Sequence, residues 1–139
     1  MNPNGHSMMQ RLEYWKTAKS VIKDNWLIGV GVGDVQDAFD DQYERDHSLL
    51  TPENRLRAHN SYLTNWLTFG LPGLLTFLLM IIYFIRIHWK DRAFIPVMFM
   101  VVAAVTFLLE DTLETQTGVA FFAFFYGLFI TAKEAKEIS

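Results

Sequence analysis

One short stretch concentrates the groups that could do chemistry: Arg57-Ala58-His59-Asn60-Ser61-Tyr62, followed at once by a long apolar run. Ionisable groups at the mouth of an apolar helix can meet the polar head of a lipid-linked molecule without being buried in hydrocarbon. Imidazole is suited to taking a proton near neutral pH, so His59 is a candidate general base. The competing reading is structural, with His59 and Asn60 capping or anchoring the helix that follows. Arg11 is the second candidate. At 100° per residue it falls between Ala18 and Ile22, inside an apolar stripe. A guanidinium drawn toward a core needs an anionic partner, either a carboxylate or a phosphate. The alternative is that its stem snorkels and leaves the charge in water.

Three acids form a third group. Glu110, Asp111 and Glu114 stand between two apolar runs, and Glu110 and Glu114 are one helical turn apart. One of them is placed to orient His59 or to pair with an arginine while no anionic substrate is bound; the alternative is an acidic interfacial loop. Two other stretches carry less. Gly29-Val30-Gly31-Val32-Gly33-Asp34 lacks both GxGxxG and Walker spacing, and alternating glycines suit a tight turn. Asp40, Asp41, Glu44, Asp46 and His47 match neither an EF-hand loop nor HExxH, so they read as a solvated acidic face.

The elements that must position these groups divide the chain in two. Residues 1–61 are mixed and polar, and residues 62–132 are mostly apolar, so the overall 51% hydrophobic content is an average of unlike parts. Asn2-Pro3-Asn4-Gly5-His6-Ser7 reads as a loop, with Ser7 capping a helix from Met8 to Asn25. Its stripe is Met8, Leu12, Trp15, Ala18, Ile22 and Trp26. Asp34 is expected to cap a second helix over Val35–Arg45, with Val35, Ala38, Phe39 and Tyr43 on one side. Thr51-Pro52-Glu53 reads as the start of a short helix delivering Arg55, Arg57 and His59 to the membrane edge. No stretch alternates as a strand would.

Three membrane spans are expected, near residues 62–88, 94–109 and 119–131, with a kink at Gly70-Leu71-Pro72-Gly73 in the first. The second and third are short, and their ends are expected to extend into the flanking polar residues. The fold class is therefore all-α: a helical head over residues 1–61, then a polytopic membrane region over 62–139. Arg86, Lys90 and Arg92 stand at the end of the first span and in the loop after it, and Lys133 and Lys136 follow the third. That pattern puts both segments in the cytoplasm and the acidic loop outside, with the head outside too. The head's own Arg11, Lys16, Lys19, Lys23, Arg45, Arg55 and Arg57 oppose this, but long segments obey the rule weakly. A net charge of −3 without a basic aromatic stripe speaks against nucleic acid as a partner. With no cysteine, disulfides and thiolate metal sites are excluded.

The order of these motifs resembles the C-terminal part of the O-antigen ligase family, which also includes O-antigen polymerases. The residues carrying the resemblance are Gln10-Arg11-Leu12-Glu13-Tyr14-Trp15, Leu27-Ile28-Gly29-Val30-Gly31-Val32-Gly33, Ala58-His59-Asn60-Ser61-Tyr62-Leu63 and Phe69-Gly70-Leu71-Pro72-Gly73-Leu74-Leu75. The resemblance implies a GT-C-like enzyme of the bacterial inner membrane with a large periplasmic loop. It implies transfer of a glycan from an undecaprenyl diphosphate carrier to a lipid A-core sugar, without a metal or other cofactor. The family's loop histidine falls on His59 and its loop arginine on Arg11. On that reading Arg57 is a second phosphate contact and Asn60 a possible substrate contact, although an ordinary surface charge remains open for Arg57.

The family's further functional arginine lies upstream of the matching part, and Met1–Met9 lacks an apolar signal region. Both suggest a piece of a longer polytopic protein, inactive in isolation. A polymerase-like enzyme with a glycan acceptor, a non-catalytic transport-associated or scaffolding relative, and an inactive truncated product stay open as alternatives.

Overall fold

The computed structural model describes residues 7–138, with side chains described through residue 135. The loop expected at residues 2–6 lies outside the described residues. Among the described residues the chain is all-helical, without strands. The helices are α1 (Ser7–Asn25), α2 (Val35–Arg45), α3 (Ser61–Lys90), α4 (Phe94–Leu109) and α5 (Gln116–Ile138). Single 3₁₀ turns occupy Pro52–Asn54 and Thr112–Glu114.

The head has its own core. Tyr14, Ala18, Val21 and Ile22 of α1 pack with Val35, Phe39 and Tyr43 of α2, and Leu50, Ala58 and Leu67 close the cluster. The face of α1 that packs differs from the expected stripe. Met8, Leu12 and Trp26 are exposed, while Tyr14, Thr17 and Val21 are buried. α1 carries apolar residues on two neighbouring faces, and docking against Phe39 and Tyr43 selects one of them. The Tyr43 hydroxyl donates to the Leu56 carbonyl at 2.7 Å, and burial pushes its pKa well up. Helix α1 already includes Ser7, and Asp34 precedes α2 without the side-chain cap bond expected of it. The helix expected from Thr51 is only a 3₁₀ turn, so the irregular segment after it carries Arg57 and His59 forward.

The glycine loop and the break in α3 complete each other. Gly70 adopts φ 67° and ψ −160°, a conformation open essentially to glycine alone. The break deprives the Leu67 carbonyl of its helical partner, and Pro72 has no N–H for the Thr68 carbonyl. Val30 N–H donates to Leu67 at 2.7 Å and Gly31 N–H to Thr68 at 3.0 Å, while Leu71 N–H finds the Trp26 carbonyl at 2.9 Å. A side chain at Gly29 would strike the backbone of Leu67, Thr68 and Gly70. Two of the loop's amides are thus committed to α3, which is a packing role rather than a phosphate cradle.

Beyond the break, Phe77, Ile81 and Phe84 of α3 pack with Met100 and Phe107 of α4 and Phe122 of α5 in a second core. α3 joins the two cores. Among the described residues, two helical segments are long and apolar enough to cross a membrane, Ser61–Lys90 and Gln116–Ala135. Their apolar windows are only 28% and 11% buried, and Leu79, Ile82, Phe121 and Phe124 remain exposed. Core helices of a water-soluble protein do not leave that much apolar surface uncovered. The second expected span, α4, has 16 residues and rises ~24 Å, short of the ~30 Å hydrocarbon core. Arg92 with φ 53° and extended Glu110 prevent α4 from lengthening. α5 does lengthen, beginning at Gln116.

Candidate functional site

The segment between α4 and α5 meets the head where α3 begins. Asn60 is the hinge of this meeting. Its backbone is extended, its Oδ1 accepts from Tyr62 N–H at 3.0 Å and Leu63 N–H at 3.1 Å, and its Nδ2 donates to the Leu108 carbonyl at 3.1 Å. The next hydroxyl, Ser61 Oγ, donates to the Glu110 carbonyl at 3.0 Å, and Thr64 Oγ1 donates to Asp111 Oδ1 at 2.8 Å. One face of the first turn of α3 therefore holds the acidic segment in place. Asn60 is buried and engaged in capping and bracing.

With the segment fixed, its carboxylates face the cations expected from the sequence. Arg11 donates from one guanidinium nitrogen to Glu110 Oε1 at 2.6 Å and from the other to the Leu109 carbonyl. The second oxygen of Glu110 lies 3.8 Å from His59 Nδ1. Glu110 thus stands between the guanidinium of Arg11 and the imidazole of His59. Arg57 donates to Glu114 at 3.1 Å and to Gln36 Oε1 at 3.3 Å. The structure brings Arg11, Arg57 and His59 together with Glu110, Asp111 and Glu114, while Asp40, Asp41 and His47 stay on α2 and its exit.

His59 is positioned by backbone as well as by charge. Its φ of 46° is left-handed, uncommon for a residue with a side chain but better tolerated by histidine than by most. Neighbouring Ala58 is fully buried and its carbonyl accepts from Trp15 Nε1 at 2.9 Å. The Tyr14 ring packs 6.0 Å from the imidazole. Burial raises the pKa of Tyr14, and the nearby Arg11 charge opposes that shift. An imidazole that turns Nδ1 toward a carboxylate presents Nε2 as the proton acceptor.

A cavity of about 650 Å³ opens over this cluster, lined by Gln36, Arg57, His59, Glu110, Asp111 and Glu114 among others. A second cavity of about 260 Å³ shares Arg57, Asp111 and Glu114 and continues along Ser61, Thr64 and Thr68. Asp111 forms part of the wall between them. Burial raises its carboxyl above the usual range, and the Glu114 charge adds to this; Thr64, His59 and the Asn60 N–H pull the other way. An apolar groove of about 490 Å³ between α4 and α5, floored by Phe99 and Phe107, offers no titratable group.

Several residues here were not anticipated from sequence: Gln36, Thr64, Trp15 as a donor to Ala58, and the Leu109 carbonyl. Thr64 had a usable signal, because it lies one turn after Asn60 on the same face of α3. Gln36 had none.

In comparison with known proteins, residues 2–78 match the family model described as O-antigen ligase, more than half of the 139 residues. The match contains α1, the glycine loop, Arg57 to Ser61 and the first half of α3; the acidic segment lies beyond it. No curated protein and no solved structure matches the chain.

Proposed function

We propose, from the premise that this chain belongs to the O-antigen ligase family, that it forms the acceptor-activating part of a membrane glycosyltransferase. Family and apolar helices together make it a membrane protein. On our reading it is a multi-pass protein of the bacterial inner membrane, with residues 1–61 in the periplasm and the C-terminus in the cytoplasm. The donor is a glycan on undecaprenyl diphosphate. The acceptor is a lipid A-core sugar in ligase-like transfer, our leading assignment, and a glycan in polymerase-like transfer.

The observation that carries the proposal is Glu110, an anion held between the Arg11 guanidinium and the His59 imidazole. A diphosphate entering the cavity would take over that position and free the guanidinium for bidentate phosphate binding. In the transfer step the acceptor oxygen bonds to the anomeric carbon while the carbon–oxygen bond to the diphosphate breaks. His59 takes the hydroxyl proton, and the carrier diphosphate leaves with the bonding pair. Arg11 and Arg57 neutralise that growing charge. Backside attack inverts the anomeric carbon. Glu110 and Glu114 hold the two arginines until a donor arrives.

The test is transfer from purified undecaprenyl diphosphate-linked glycan by the complete protein. His59→Ala should lower the rate by about 10²–10⁴-fold, the usual worth of a general base, at unchanged membrane abundance. Arg11→Ala should be similarly severe, Arg11→Lys should not restore full rate, and His47→Ala should be close to the parent. Near-normal transfer by the His59 variant would remove the base assignment. Loss of transfer on chelation would remove the metal-free mechanism.

A further inference from the structure

The turn between α3 and α4 has no part in the chemistry above, yet it is built as an amphipathic pocket. Arg92 closes it in the left-handed conformation, its N–H donating to the Trp89 carbonyl at 3.1 Å while Ala93 N–H donates to His88 at 3.0 Å. The wrap borders an open cavity of about 400 Å³ lined by Trp89, Lys90, Arg92, Ala93, Phe94 and Val97. Its two halves differ in chemistry. Lys90 and Arg92 are exposed cations, and Trp89 and Phe94 are exposed rings.

The pocket's charge is not cancelled from within. Asp91, the acid of the turn, is bonded to Lys133 Nζ of α5 at 2.6 Å. Among the described residues, Lys90 and Arg92 form no ion pair. The pocket also sits at the end of a helix long enough to span a bilayer, the level at which aromatic rings and basic side chains settle at a membrane interface.

A phosphodiester bearing glycerol and acyl chains matches both halves. A free phosphate would use only the cations, and a zwitterionic lipid brings an ammonium that offsets the attraction. We infer that this pocket binds the headgroup of an anionic phospholipid. The phosphate lies on Lys90 and Arg92, and the glycerol and first methylenes lie against Trp89, Phe94 and Val97. The site is independent of the glycosyl-transfer assignment.

The experiment titrates short-chain phosphatidylglycerol into the chain in an uncharged detergent, alongside phosphatidylcholine of the same chain length and glycerol 1-phosphate. Phosphatidylglycerol should bind saturably, and the other two at least about tenfold more weakly. Replacing both cations, Lys90→Gln with Arg92→Gln, should weaken phosphatidylglycerol by about tenfold or more. Lys19→Gln on α1 should leave binding unchanged. Arg92→Gly separates charge from folding, because glycine favours the left-handed backbone at this position. It should keep or raise the unfolding temperature and still weaken binding. Equal binding of the two lipids, equal binding of glycerol 1-phosphate, or unchanged affinity in the Arg92→Gly chain would each overturn the inference.

Discussion

Asp111 shows most clearly how a single side chain answers to its surroundings. It is held by Thr64, flanked by Glu114 and buried enough that its carboxyl is raised above the ordinary value. A raised carboxyl has a definite consequence for stability. Below the ordinary carboxylate range the folded and unfolded chains both hold the proton, and nothing is lost. As pH climbs from there through the raised folded value, the unfolded chain releases its proton first, and folding stability falls. Asp111→Asn keeps an acceptor for Thr64 and removes the ionisation. Its unfolding temperature in detergent should therefore exceed the parent's by a margin that widens from acid toward neutral pH. A margin that is constant or shrinks as pH rises would show that the ionised form is favoured in the fold.

Among the elements, the glycine loop and α3 depend on each other. Bilayer hydrocarbon offers no hydrogen bonds, so a broken helix near it must be repaired from within the protein. The loop supplies that repair through Val30 and Gly31. The glycines are not equivalent, however. A methyl group at Gly70 would meet the Leu27 carbonyl and hold a backbone conformation that costs about 1–3 kcal/mol before any clash is counted. At Gly33 nothing lies within 4 Å. Gly70→Ala should lower thermal stability clearly and expose the head to protease, while Gly33→Ala should stay within about 0.5 kcal/mol of the parent. Equal effects would mean that the loop is not docked into the break.

For the whole molecule the open quantity is direction across the membrane. The proposed orientation puts the head and the acidic segment outside, and the α3–α4 turn inside. The chain has no cysteine, so single introduced thiols report cleanly. Glu44→Cys and Lys90→Cys both replace exposed residues. In intact spheroplasts an impermeant thiol reagent should modify the first and spare the second until the cells are opened. The reverse pattern would invert the topology and place His59 away from any periplasmic acceptor.

Periodicity and turn chemistry were enough to read α2, the bounds of α4, the break near Gly70 and the absence of strands among the described residues, because each is decided within one or two turns of backbone. The motif order also carried the family, which the match over residues 2–78 shows. Local rules failed wherever two elements competed for one group. α1 could have buried either of two faces, and only docking against Phe39 and Tyr43 chose between them. Asp34 had the right side chain for a cap and makes no cap bond. The candidate site was legible as a set of residues, since guanidinium, imidazole and carboxylate are recognisable by type. Its connections were not. Arg11 and Glu110 are 99 positions apart, and they meet because Asn60, Ser61 and Thr64 hold the α4–α5 segment against the head. Such a contact depends on how separate helices pack, and sequence spacing carries no measure of that.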